Sequence, residues 1–432
     1  MTGNMRNILL FVIVFALIGA VGFLQSWNVA LVILNMGLIS ALMALGVNMQ
    51  WGYAGLFNIG IMGFVALGGL ATVLTSMPPV TEAWAAGGLR VLVALAVGAG
   101  TIALAVRAWH RVSRRRGLVV STIVVVGFII YRWLFDPAVE AIEAVNPAAT
   151  GYLGGLGLPV VLAWPVGGLL AAGAAWIIGK TALGLRSDYL AIATLGIAEI
   201  IIAVMKNEDW LDRGVKNVVG LPRPVPYEVD LQQDPEFVAR ALELGLDPAT
   251  ASSLYVKLSY GIMFAVVLVI VLLMAELSLR SPWGRMMRAI RDNEVAAEAM
   301  GKDVTRRHLE IFILGSAVCG IAGAMMTTLD GQLTPGTYNP LRYTFLIWLM
   351  VIVGGSGNNW GAILGGFLVW FLWVEVEPMG RWLIEVLTAG MSPDSALRAH
   401  LVESAAHMRL MTMGVLLLLV LRFSPRGLIP EK

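Results

Sequence analysis

Side chains able to do acid–base, nucleophilic or metal chemistry are few in this chain, and they are scattered. His110, His308, His400 and His407 show no metal-ligand spacing. The single cysteine, Cys319, lies in an apolar run, where a thiol packs as a small hydrophobe and has no partner for an intramolecular disulfide. No nucleophile elbow occurs. A loop of the form G-x-x-x-x-G-K-[ST], whose amides cradle ATP phosphates, is also missing; the nearest cluster, Gly354-Gly355-Ser356-Gly357, has no following lysine. The expectation is therefore no catalytic residue, no metal site and no cofactor held by this chain. What stands out instead is polarity inside apolar stretches. Glu199 falls well within the run 189–205, where a central charge costs about 2.5–3.5 kcal/mol. It serves a solute pathway or it is paired between helices. Asn35, Asn48, Tyr53 and Asn58 mark the entry to the second and third apolar runs. Hydrogen bonding between helices and lining of a pore both account for them. Asn48, Tyr53, Asn58 and Glu199 are the candidate pathway residues.

The elements that position them follow from composition. Of 432 residues 58% are hydrophobic and 13% charged, against about 25% charged in a soluble domain, so lipid must solvate most of the chain. Apolar runs fall near 8–24, 28–48, 55–76, 89–106, 118–135, 157–179, 189–205, 256–277, 309–329, 341–357, 361–376 and 406–421. Each approaches the roughly 17–25 residues needed to cross a hydrocarbon core, and helices satisfy their own backbone there. The fold class is an all-α polytopic membrane protein with ten to twelve transmembrane helices in one domain, 1–432. The first run, preceded by Arg6, reads as a spanning helix and not as a cleaved leader. The Gly-rich runs 55–76 and 361–376 are the ones expected to be re-entrant or broken. The patterns Gly52-x-x-Gly55 and Gly354-x-x-Gly357-x-x-x-Gly361 look alike, as an inverted repeat would make them, with broken helices at the midplane as the consequence.

Charge placement sets the orientation. Eighteen of the thirty Lys and Arg residues, from Arg6 through Arg114 and Arg186 to Lys432, fall in connections on one side when twelve spans alternate. The positive-inside rule makes that side, with both termini, cytoplasmic. Residues 107–116 form a basic cytoplasmic turn suited to anionic lipid, and 206–255 a Pro-rich, acidic periplasmic segment. Residues 279–308 form the longest cytoplasmic connection. In it Met286, Met287, Ile290, Val295, Ala299 and Met300 supply an apolar side, and Arg288, Arg291, Glu294 and Glu298 supply charge. Such a helix rests on the membrane surface or docks into a partner's groove.

The residues of this connection resemble the coupling loop of ABC importer permeases. GVNMQWGYAGLFNIG (46–60), GLRSDYLAIATLGIAEI (184–200), RAIRDNEVAAEAMGKDVTR (288–306), MVIVGGSGNNWGAILGG (350–366) and SPRGLIP (424–430) are similar, in order, to blocks of the branched-chain amino-acid permease family, second-permease type. That family also includes urea and short-chain amide systems. The resemblance implies an importer permease fold in the bacterial inner membrane that moves a small polar solute inward. It implies as partners a second homologous permease, two cytoplasmic ATPase subunits that bind ATP and Mg, a periplasmic solute-binding protein and the lipid bilayer, with no role for nucleic acid. Under it Arg288, Arg291, Glu294, Glu298 and Gly301 carry the contact to the ATPase, and Gly301 ends the short helix.

Two departures bear on the solute. After Asn207 the family often has a T-G-G-x-N-G stretch, where this chain reads Asp212-Arg213-Gly214-Val215-Lys216-Asn217, and a family His after the first Gly-rich block is Ile61 here. A branched-chain amino acid leads, with urea and amides next. An ion-coupled secondary transporter is the rival reading, and it requires several buried acidic groups; Glu276, Glu375 and Glu377 lie near helix ends and only Glu199 is central. A membrane-embedded enzyme requires a constellation this chain does not have.

Overall fold

A computed structural model describes residues 3–113, 115–185, 187–390 and 396–431. Arg114, Arg186 and Lys432, counted above among the basic residues, lie outside the described residues. The chain is helical nearly throughout. Long helices are α1 (Gly3–Leu24), α2 (Trp27–Val47), α3 (Ile61–Ser76), α4 (Leu89–Arg111), α5 (Arg116–Glu143), α6 (Ala163–Ala182), α7 (Ser187–Asn207) and α8 (Pro248–Arg280). Two short helices follow, α9 (Pro282–Asp292) and α10 (Glu294–Ala299), then α11 (Val304–Asp330), α12 (Pro340–Gly354), α13 (Asn359–Leu387) and α14 (Met408–Phe423). A two-stranded antiparallel pair, β1 (Val218–Val219) with β2 (Gln332–Leu333), ties the connection after α7 to the end of α11 through Val218 opposite Leu333.

Among the described residues ten helices are long and apolar enough to cross a membrane, and α3 and α12 are shorter apolar helices. Together they cover the twelve runs, and the protein is a multi-pass membrane protein. At 16 and 15 residues, α3 and α12 rise roughly 24 and 22 Å, short of a hydrocarbon core of about 30 Å. Each adjoins a non-helical segment, 55–60 before α3 and 355–358 after α12. The run 55–76 is thus interrupted as expected. The run 361–376 is not: it lies inside the continuous 29-residue α13, because Asn358 caps that helix through the N–H groups of Trp360 and Gly361 and nothing breaks it until its far end. The two Gly patterns also differ from expectation. Gly366 packs on Ala41 and Gly354 on Gly361, so α2 and α12 both run antiparallel to α13. The patterns sit at one end of the bundle in parallel topology, not inverted.

α11 forms the centre, packed against α6, α3 and α2. Small residues permit this. A Cβ on Gly320 would lie 2.5 Å from the Gly167 carbonyl oxygen, so glycine there lets two backbones touch. The α4–α5 hairpin stands apart. It is held near one end by a small cluster with Phe135 set edge-on to Trp210, ring centroids 5.7 Å apart, while Ile102, Leu104, Phe128 and Ile129 stay exposed for lipid. Its tip is the basic turn, described at 107–113 and 115–116. At the opposite face, 206–255 folds into short helices and β1, and its last residues are already the opening turns of the 33-residue α8, capped by Asp247.

Candidate functional site

The site is built where α9 and α10 meet the end of α2. Ser281 caps α9, its side chain accepting from the Trp283 N–H at 3.2 Å, with Pro282 at the first helical position. Asn293 then stops α9 and caps α10, accepting from the Ala296 N–H at 3.0 Å. Gly301, at φ +78°, closes α10: its N–H meets the Glu298 carbonyl at 2.8 Å and the Lys302 N–H meets Ala297 at 3.1 Å. Asp303 caps α11 through the Arg306 N–H at 3.0 Å.

This break at Asn293 divides the apolar side read from the sequence. Met287 and Ile290 of α9 are buried against the bundle, whereas Val295 and Met300 are 76% and 80% exposed. Glu294 and Glu298 are exposed beside them. The outward surface is therefore α10, two apolar side chains set among carboxylates. Trp283 Nε1 donates to Glu310 at 3.0 Å and Arg307 pairs with the same carboxylate at 2.7 Å, fixing α9 to α11.

Arg291 turns the other way. Its guanidinium donates to the Gly52 carbonyl and to Glu431 Oε2 at 2.9 Å, and it pairs with Asp292 at 3.0 Å. Burial alone would lower its pKa, but the Glu431 and Asp292 carboxylates outweigh burial and hold it above the ordinary value. Arg288 borders a cavity of about 880 Å³ with Tyr53, Glu276, Arg280 and Glu431 at its polar end and Phe11 and Phe15 of α1 at its apolar end. Burial, then the charges of Glu276 and Glu431, push the Tyr53 hydroxyl up to about 12, so it stays a neutral donor.

The remaining blocks converge here. Asn48 donates to Asn359 Oδ1 at 3.0 Å and accepts from the Gly357 N–H at 2.8 Å; Asn359 in turn donates to Glu276 at 3.1 Å. The C-terminal block runs beneath them, the Leu428 and Ile429 N–H groups donating to Val353 and Gly354 carbonyls at 2.9 and 2.8 Å. Asn58 accepts from the Gly60 N–H at 2.9 Å and donates to Gln50 Oε1 at 2.9 Å, and its carbonyl accepts from Trp348 Nε1 at 3.0 Å. Gln50 also donates to Phe312 O and Ser316 Oγ at 2.9 and 3.0 Å. Thr194 of the second block accepts from the Ile59 N–H at 3.2 Å. Asn48 and Asn58 are thus fully engaged between helices and Tyr53 borders a cavity. Glu199 joins none of them: it lies exposed on the outer surface of α7. Gln50, which the reading of motif residues passed over, is the hub; a glutamine two residues past the apolar run 28–48, within the first motif block, was its signal.

Spanning helices knotted at one end beneath an exposed charged helix define a multi-pass membrane protein with one outward-facing helical surface. The family profile described as branched-chain amino acid transport system / permease component matches residues 29–139 and 124–421, and the chain belongs to that family. It is 30% identical over 238 residues to the high-affinity branched-chain amino acid transport system permease protein LivM of Escherichia coli K12, a match covering 53% of each chain. The chain thus spans about half the length of that relative. It is 27% identical over 295 residues to the probable branched-chain amino acid transport permease protein LivM of Methanocaldococcus jannaschii, covering 68% of this chain and 73% of the relative. A probable LivH permease of the same archaeon is 31% identical over 112 residues, 25% of this chain and 35% of the relative. No solved structure matches the chain significantly.

Proposed function

We propose that this chain is one of two permeases in an ABC importer that moves a branched-chain amino acid inward, driven by ATP and Mg on partner ATPases. The observation that carries the reading is α10, which presents Val295 and Met300 to solvent on a helix too short to be stable alone. The adjoining α9, joined to it at Asn293, is locked to the core through Arg291, Gly52 and Glu431. A push on α10 therefore reaches the ends of α2, α12 and the C-terminal segment without passing through a flexible linker. In this reading the face bearing α9 and α10 is cytoplasmic, as are both termini, and a solute-binding protein docks on the face formed by 206–255. The membrane is the bacterial inner membrane. A second homologous permease covers α7, where Glu199 stands exposed in mid-span.

The test is reconstitution with the second permease, both ATPases and the binding protein in proteoliposomes. ATP-dependent, vanadate-sensitive uptake of leucine, isoleucine or valine is the expected result. Uptake that follows a proton gradient and ignores ATP would overturn it.

A further inference from the structure

The bundle holds a second cavity, far from α10. It measures about 200 Å³ and lies among α2, α3, α11, α12 and α13, with Asp330 and Thr337 at the side away from α10. That is smaller than the roughly 300–1,000 Å³ of drug-sized sites, and suits one solute the size of a small amino acid. Its wall is mostly apolar and includes five methionines. Methionine, unbranched and polarisable, adapts to aliphatic groups of different shape. Two polar groups in the lining have no partner among the described residues, one exposed and one buried. Asp330 is exposed to solvent where it lines the chamber, and its carboxylate makes no hydrogen bond or ion pair among the described residues. The Trp370 Nε1–H is buried with no acceptor, and a buried donor left unpaired costs about 1–3 kcal/mol. An exposed carboxylate and a buried N–H donor lining one apolar chamber offer partners of the right kind for the ammonium and the carboxylate of an aliphatic amino acid.

We propose that this chamber is a stopping point for the transported solute, an aliphatic α-amino acid. Its ammonium meets Asp330, its carboxylate accepts from Trp370 Nε1, and its side chain lies among the methionines with Met326 and Met350. The proposal rests on the permease reading above and adds where selection inside the membrane occurs. Entry past Asp330 comes from the face opposite α10, and release needs the packing of α12 on α13 to open.

The complete transporter in proteoliposomes, with its binding protein, decides this through initial uptake of radiolabelled leucine and alanine. Asp330→Asn is expected to lower leucine uptake at least tenfold, with Asp330→Glu recovering part of it. Met326→Trp, which fills the chamber, is expected to lower leucine uptake at least fivefold more than alanine uptake, a selectivity change that a general loss of folding does not produce. If Asp330→Asn does not assemble, the leucine-to-alanine ratio of Met326→Trp decides alone. Unchanged uptake in Asp330→Asn, or an equal fall for both solutes in Met326→Trp, overturns the chamber while leaving the permease reading intact. Wild-type transporter that moves neither solute overturns both.

Discussion

Arg291 and Glu431 meet at 2.9 Å across 140 residues of sequence, and the same guanidinium reaches the Gly52 carbonyl at the end of α2. One side chain thus joins the helix pair at the surface to two distant segments. Both side chains of the ion pair are partly exposed, 23% and 32%, so the pair itself is worth no more than about 1 kcal/mol. The bond to Gly52 O sits deeper. Glu431→Gln is expected to lower thermal stability in detergent slightly, and Arg291→Ala by about 1–3 kcal/mol because a buried carbonyl loses its donor. A double-mutant cycle by thermal unfolding measures the coupling. A value near zero would remove the clamp.

Asn48 is fully buried and uses both ends of its amide, toward Asn359 and the Gly357 N–H. Asn48→Ala leaves a buried N–H and a buried amide oxygen without partners, a loss of roughly 1–3 kcal/mol. Asn48→Asp keeps the acceptor for Gly357 but removes the donor to Asn359, beside Glu276. It is expected to be the more harmful of the two, as read by melting temperature and by yield of folded protein.

The twelve runs were legible because lipid permits no polar interruption of a span, so each helix announces itself by composition. The side of α10 that faces outward was not. A helical period read straight through 286–300 assigns Met287 and Val295 to one surface, but Asn293 ends α9 and restarts the helix, so the phase is lost between them. The roles of Arg288, Arg291 and Glu199 were hidden for a related reason. Charge type predicts that a side chain needs a partner, and only tertiary packing says whether it is Glu431, a cavity or a neighbouring chain. The chamber at Asp330 was invisible in sequence because its lining comes from five separate helices and the segment after α11, and most of those residues read as ordinary core.

Gly301 has φ +78° and open space around it. A side chain there meets no clash, so the cost is conformational, about 1–2 kcal/mol for a left-handed residue. Gly301→Val is therefore expected to leave insertion and expression near normal while cutting uptake by the assembled transporter more than tenfold. Gly301→Asn, which tolerates that conformation, is expected to retain more activity. Equal uptake in Gly301→Val and wild type would separate α10 from coupling.

Asp212 is fully buried at the face opposite α10. Burial raises its pKa to about 7, against the Gly214 N–H that lowers it and with Asp209 adding to the rise. The folded state therefore holds a proton that the unfolded chain releases near pH 4. Stability from this group is present below pH 4 and is lost as pH climbs from about 4 to 7. Asp212→Asn should flatten that part of the profile and stabilise the protein at pH 8. Melting temperatures across pH 4–8 check it, and an unchanged slope in the variant would assign the dependence elsewhere.

Glu199 sits at the middle of α7 on its exposed side, where a charge facing hydrocarbon costs about 2.5–3.5 kcal/mol. A second permease, or water between the two, removes that cost; lipid does not. Buried Cys319 offers a quiet background for labelling. A Glu199→Cys variant in the assembled transporter is expected to react with a water-soluble thiol reagent, or to cross-link to the second permease. A Gly173→Cys variant on α6, where an added side chain meets open space, is expected to do neither. Identical silence at both positions would place Glu199 against lipid and leave α7 without a partner.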